Sequence, residues 1–125
     1  MRVVTRHRPV DADAFLGDCA AALSVLADQP GFSGGECCRS PDEPLVWLLT
    51  TRWADVGSMR RGMGGYEAKV ALAPVMASAA DEPSVFEVLL EAGEGGLSRA
   101  DSALAAADGA AAGRSGRSEK PRGNR

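Results

Sequence analysis

Histidine is almost missing from this sequence: His7 is the only one in 125 residues. Cys19, Cys37 and Cys38 are an odd number with no C-x-x-C spacing, so a zinc site would lack ligands. Unpaired thiols of this kind suit a reducing cytoplasm. Asparagine is just as scarce, with Asn124 near the far end as its one occurrence. No stretch approaches the ~20 apolar residues of a membrane span. The opening MRVVTRHRP carries no apolar core of a signal peptide. Positive charge is also thin over most of the chain. Residues 1–92 hold 8 basic and 13 acidic side chains, whereas residues 93–125 hold 6 and 4. An acidic body of this kind argues against a nucleic-acid-binding domain.

What is present reads as alternating strands and helices. Met1 to Arg8 is a β-branched run ended by Pro9, with Thr5 and His7 on one face and Arg6 and Arg8 on the other. Asp11 or Asp13 can cap a helix reaching about Ala27, whose apolar stripe is Phe15, Cys19, Ala22, Leu23 and Leu26. After Pro30-Gly31, Phe32 to Arg39 predicts a strand, bulged or loosely packed at Gly34-Gly35. The adjacent Cys37 and Cys38 point to opposite faces of that strand. LVWLLTTRW (Leu45–Trp53) is the strongest strand signal, and its unalternating apolar start predicts cover on both faces. Asp55 can cap a second helical region with Val56, Met59, Met63, Tyr66 and Val70 on one face, and Pro74 is expected to end or kink it. SVFEVLLE (Ser84–Glu91) predicts a last strand.

The order β-α-β-β-α-β over about ninety residues is the ferredoxin-like α+β pattern. Two helices cover one face of such a sheet, so the other face calls for a partner, and a second copy of the chain is the simplest. The predicted organisation is one domain over residues 1–92 and an Ala/Gly/Arg-rich tail over residues 93–125. The tail lacks core-forming residues and is expected to be disordered. Within the second helical region, RRGMGGYEAK places Gly62, Gly64 and Gly65 where each weakens a helix by ~1 kcal/mol. The cluster matches neither nucleotide-loop motif and follows a helix rather than a strand, so a phosphate cradle is excluded. Gly64-Gly65 reads as a hinge, or as a purely structural break.

PGFSG, the strand WLLTTRW and the stretch YEAKVALAPVM…DEPSVFEVL resemble the antibiotic biosynthesis monooxygenase family, over residues 1 to about 91. That resemblance implies a dimeric α+β barrel whose pocket lies between each subunit's sheet and helices, with a broken second helix at the pocket mouth. Family activities divide between cofactor-free oxygenation of polyphenolic polyketide intermediates and oxidative haem degradation. The haem-degrading members carry an axial histidine and a tryptophan on the second helix, and Val56 to Met76 contains neither. The asparagine used by several polyketide oxygenases is also missing from the domain. The resemblance therefore implies oxygenation of a small aromatic or polyketide-like molecule with dioxygen, in a cytoplasmic homodimer, without metal or cofactor. His7 is the candidate base, with Tyr66, Arg52 and Arg60 as donors to the developing oxyanion. Trp53, Met59, Met63, Gly64 and Gly65 are the candidate substrate-binding residues, although Trp53 also reads as a core anchor. The competing reading is a non-catalytic small-molecule-binding or scaffold protein on the same dimeric barrel.

Overall fold

The computed structural model describes residues 1–102. Its first eighty-six residues run β1 (Arg2–His7), α1 (Ala12–Ala27), β2 (Phe32–Arg39), β3 (Trp47–Trp53), α2 (Val56–Gly64), α3 (Tyr66–Met76) and β4 (Val85–Phe86). The four strands form one antiparallel sheet in the order β2-β3-β1-β4, which is the ferredoxin-like arrangement.

Local chemistry sets the boundaries. The Asp11 carboxylate accepts from the Ala14 backbone N–H at 3.1 Å and starts α1. Asp55 and Ser58 form a reciprocal capping box at the start of α2, which holds the Asp55 carboxyl below its ordinary range. Gly31 takes φ +88° in the turn after α1, a conformation that side chains disfavour. The register of β2 on β3 slips between Phe32 and Gly34, so the predicted looseness is a true bulge. Gly65 separates α2 from α3, but α3 runs through Pro74 to Met76 instead of stopping there.

Two strand expectations change. β3 begins at Trp47 and alternates strictly: Trp47, Leu49, Thr51 and Trp53 are buried beneath the helices, while Leu48, Thr50 and Arg52 lie half-buried on the opposite face. The same alternation puts Val3, Thr5 and His7 on the helix side of β1. The last strand of the sheet is two residues long rather than eight. Register pairs Phe86 with Arg2, where β1 starts, so nothing of β1 lies opposite the residues that follow.

The core consists of Phe15, Cys19, Ala22 and Leu26 from α1, the buried face of β1 and β3, and Met59, Ala68, Leu72 and Val75 from α2 and α3. Cys37 faces inward opposite Leu49, beside Cys19, and burial pushes the Cys19 thiol up to about 12. Cys38 is exposed on the other face.

The remaining described residues, 87–102, form a separate unit. It contains a hairpin of β5 (Leu90–Gly93) and β6 (Gly96–Arg99), paired antiparallel from Leu90↔Arg99 to Gly93↔Gly96. The boundary expected between residues 92 and 93 falls inside this hairpin. Most of the expected disordered tail, with Asn124, lies outside the described residues. None of the described helices is long and apolar enough to cross a membrane.

Candidate functional site

Between the sheet and the two C-terminal helices lies a small apolar cavity of about 10 Å³, walled by residues from β1, β3, α1, α2 and α3. Val3 and Leu49 form its floor, Leu26 and Leu72 its sides, and Met63 and Met76 its outer wall. Met76 is 43% exposed and Met63 is half-buried. Unbranched thioether side chains at that position can be displaced with little strain. The cavity has two polar members, Thr5 and Thr51, and each is backed by an aromatic nitrogen.

Thr5 Oγ1 lies 2.7 Å from His7 Nε2. His7 is 1% exposed and does not itself touch the cavity, so Thr5 stands between them. The proton positions follow from the acceptors around the ring. Nδ1 lies 3.0 Å from the Ser78 hydroxyl, and the ring also meets the Val75 carbonyl, which can only accept. The proton therefore sits on Nδ1, and Ser78 passes its own to the Val75 carbonyl at 3.2 Å. In this tautomer Nε2 keeps its lone pair and accepts from the Thr5 hydroxyl, which also lies 3.4 Å from the Leu49 carbonyl. Phe15 closes the far side of the imidazole at a ring distance of 4.8 Å. Burial lowers the His7 pKa from 6.5, partly opposed by the Val75 contact, so the ring is a neutral base at pH 7.

This burial has a consequence for stability. The folded state disfavours protonated His7 relative to the unfolded chain, whose value is near 6.5. Stability is therefore full above that pH and falls as pH drops through it, at no more than about 1.4 kcal/mol per pH unit for one proton. Denaturant midpoints measured between pH 7.5 and 5.5 should decline in the wild type, and this share of the decline should vanish in His7→Phe.

The structure does not gather the other expected site residues around His7. Arg52 projects from the opposite face of the sheet, where it pairs with Glu36. Hydrogen bonds from Thr50 and then Arg52 hold the Glu36 carboxyl below its ordinary value. Tyr66 is 84% exposed, and Arg60 is also exposed. Met59 is buried in the core without lining the cavity, whereas Met63 does line it. Gly64 and Gly65 are exposed, and a Cβ at Gly64 would meet nothing within 4 Å.

Trp53 is a core anchor that also acts on the cavity wall. Its indole is 2% exposed, lies edge-on to Phe32 at 5.3 Å, and donates from Nε1 to Thr51 Oγ1 at 2.9 Å. The glycine that matters is consequently Gly62. A Cβ there would lie 2.4 Å and 2.5 Å from two carbons of the Trp53 ring. Gly62→Ala should lower the unfolding free energy by ~1–3 kcal/mol through overpacking. Gly64→Ala should be neutral or stabilising, by up to ~1 kcal/mol. Paired denaturant titrations of the two variants check this.

Reading the sequence missed Thr51 and Ser78 as members of this group, and took Thr5 only as a neighbour of His7. Strict alternation in β1 and β3 was the available signal, since it places one threonine among apolar residues on each inward face.

The antibiotic biosynthesis monooxygenase family model matches residues 2–69. Among solved structures, SnoaB from Streptomyces nogalater, described as a cofactor-independent oxygenase, is 22% identical with a TM-score of 0.58. That match covers 70% of this chain and 94% of SnoaB. Rv0793 from Mycobacterium tuberculosis is 18% identical with a TM-score of 0.59, covering 74% of this chain and 97% of that one. A conserved protein from Methanosarcina mazei Go1 is 17% identical with a TM-score of 0.57, over 65% and 82% of the two chains. At these identities the structures share the fold. No curated protein matches the chain.

Proposed function

Because the chain belongs to the antibiotic biosynthesis monooxygenase family, we propose that it is a cofactor-independent monooxygenase acting on a small aromatic or polyketide-like molecule. The observation that carries this reading is the 2.7 Å hydrogen bond between Thr5 Oγ1 and His7 Nε2 at the cavity wall. It supplies a route for a proton out of an apolar site. A phenolic or activated C–H proton passes to Thr5 Oγ1 as the Thr5 proton passes to Nε2. His7 is thus the base, acting through Thr5 rather than by contact. The substrate carbanion gives an electron to dioxygen, and the radical pair combines to a peroxide anion. The proton held on His7 returns through Thr5 to make the hydroperoxide, and loss of the remaining C–H proton with cleavage of the O–O bond releases water. A ring CH₂ thereby becomes C=O, with one oxygen atom in the product and the other in water. A site of low polarity favours the first transfer by excluding competing water.

Substrate entry requires Met63 and Met76 to move, because the cavity is about the size of one water. That small volume also favours the second reading, a binding or scaffold protein without turnover. Oxygen uptake by the chelator-treated protein over a panel of anthrones and quinols separates the two. Uptake above the rate of spontaneous oxidation supports the enzyme, and binding without uptake supports the scaffold.

The reading includes a homodimer. On the sheet face opposite the helices, Val4, Leu48, Cys38 and Val46 line a hollow of about 350 Å³ with Arg6 and Glu82 at its rim. Phe86 is 47% exposed near the same edge. We assign this face to a second copy of the chain. The three free cysteines fit a reducing cytoplasm.

A further inference from the structure

We propose that Thr51 is the residue that selects the ligand of this cavity, by donating a hydrogen bond to a carbonyl or phenolate oxygen. The proposal rests on the cavity being the binding site, and it holds whether or not the bound molecule turns over.

Thr51 is 2% exposed and lines the cavity. Its oxygen accepts the Trp53 indole N–H at 2.9 Å. Because indole nitrogen only donates, that bond cannot run the other way. The Thr51 hydroxyl proton is therefore left to be given elsewhere, and among the described residues no hydrogen bond takes it. The methyl group of Thr51 is the part turned toward Gly35 of β2, 3.3 Å from where a Cβ would stand there. A buried hydroxyl fixed as a donor, without an acceptor, on the wall of an apolar cavity is a waiting contact. The indole bond also polarises the hydroxyl and strengthens what it donates.

Thr5 has the opposite polarity. In the tautomer assigned above it gives its proton to His7 Nε2 rather than to the Leu49 carbonyl at 3.4 Å, which leaves its oxygen as an acceptor. The two threonines are diagonal neighbours on one sheet face, since Val3 pairs with Thr51 and Thr5 pairs with Leu49. Diagonal neighbours lie ~7–8 Å apart. The wall thus offers an acceptor and a donor separated by the length of a small ring system. The matching ligand is a flat apolar ring compound with a hydroxyl at one end and a carbonyl or phenolate oxygen at the other. Rings oxygenated at one end only satisfy half of the wall. Trp53 acts here as a positioning residue, through Thr51.

Calorimetric titration without oxygen tests this with three stable probes: 6-hydroxy-1-tetralone, 1-tetralone and 2-naphthol. The wild type should bind 6-hydroxy-1-tetralone most tightly. Thr51→Val, which keeps the shape, should weaken both ketones about three- to tenfold and leave 2-naphthol unchanged. Thr51→Ser, which keeps the hydroxyl, should restore ketone binding and guards against a folding defect in the valine variant. Trp53→Phe should weaken the ketones but not 2-naphthol, although the indole itself touches no ligand. Equal affinities of wild type and Thr51→Val for the ketones would overturn the proposal. A loss shared by all three probes, or no binding of any probe by the wild type, would also overturn it. Oxygen uptake is not read in this experiment, so an inactive protein with Thr51-dependent binding would reject only the oxygenase reading.

Discussion

His7→Phe should fold, bind ligand as the wild type does, and consume oxygen at least ~10²-fold more slowly, the lower end of what a positioned base contributes. The substitution is gentle in this setting because both hydroxyls that contact the ring have another acceptor already in place. Thr5 Oγ1 lies 3.4 Å from the Leu49 carbonyl, and Ser78 Oγ lies 3.2 Å from the Val75 carbonyl. A phenyl ring also suits the apolar company of Phe15 and Trp47. What disappears is the lone pair that drains the proton from Thr5. Wild-type turnover should fall on the acid side only below pH 6.5, since burial lowers the His7 value from there. Stopped-flow or electrode rates for both proteins, with affinity measured separately, check the result. An unchanged rate in His7→Phe would remove His7 from the mechanism.

Leu48→Arg should convert a stable dimer into a monomer at micromolar concentration. Leu48 stands on the uncovered face of β3, with Val4 on one neighbouring strand and Cys38 on the other. An obligate interface typically buries ~2,000 Å² or more, and this face is the surface of the sheet that its own helices leave open, with Val4, Val46 and Leu48 as an apolar centre among charged side chains. A guanidinium at its centre faces Arg6 and Arg39, which also line the hollow. Loss of one hot-spot contact of ~2 kcal/mol or more weakens association ~30-fold or more. Sedimentation velocity of the two proteins reads this directly. A wild type that sediments as a monomer would refute the assignment of this face.

The topology was open to inspection in the sequence because each element carries its own punctuation. Asp11 and Asp55 cap, Pro30-Gly31 turns, and the strands are β-branched runs, so local chemistry and global fold agree. The site was legible on one strand and misread elsewhere. The assignment of His7 to the helix side needed only period-two alternation from Val3. Arg52 defeated the same logic because the apolar run before it hid the alternation of β3. The glycine cluster drew attention to Gly64 and Gly65, whose surroundings are open. Gly62 is the constrained one, since what it accommodates is the ring of Trp53, nine residues earlier and brought back by the fold. Contacts between residues distant in sequence, such as His7 with Ser78, leave no periodic trace at all.

The most direct test of the central claim is turnover under ¹⁸O₂ by chelator-treated protein, with the anthrones and quinols compared in one series. The account predicts one ¹⁸O atom in each product molecule, one dioxygen consumed per turnover, and no stimulation by added iron, copper or flavin. Turnover that appears only when a metal or flavin is supplied, or no turnover on any compound that binds, would contradict it.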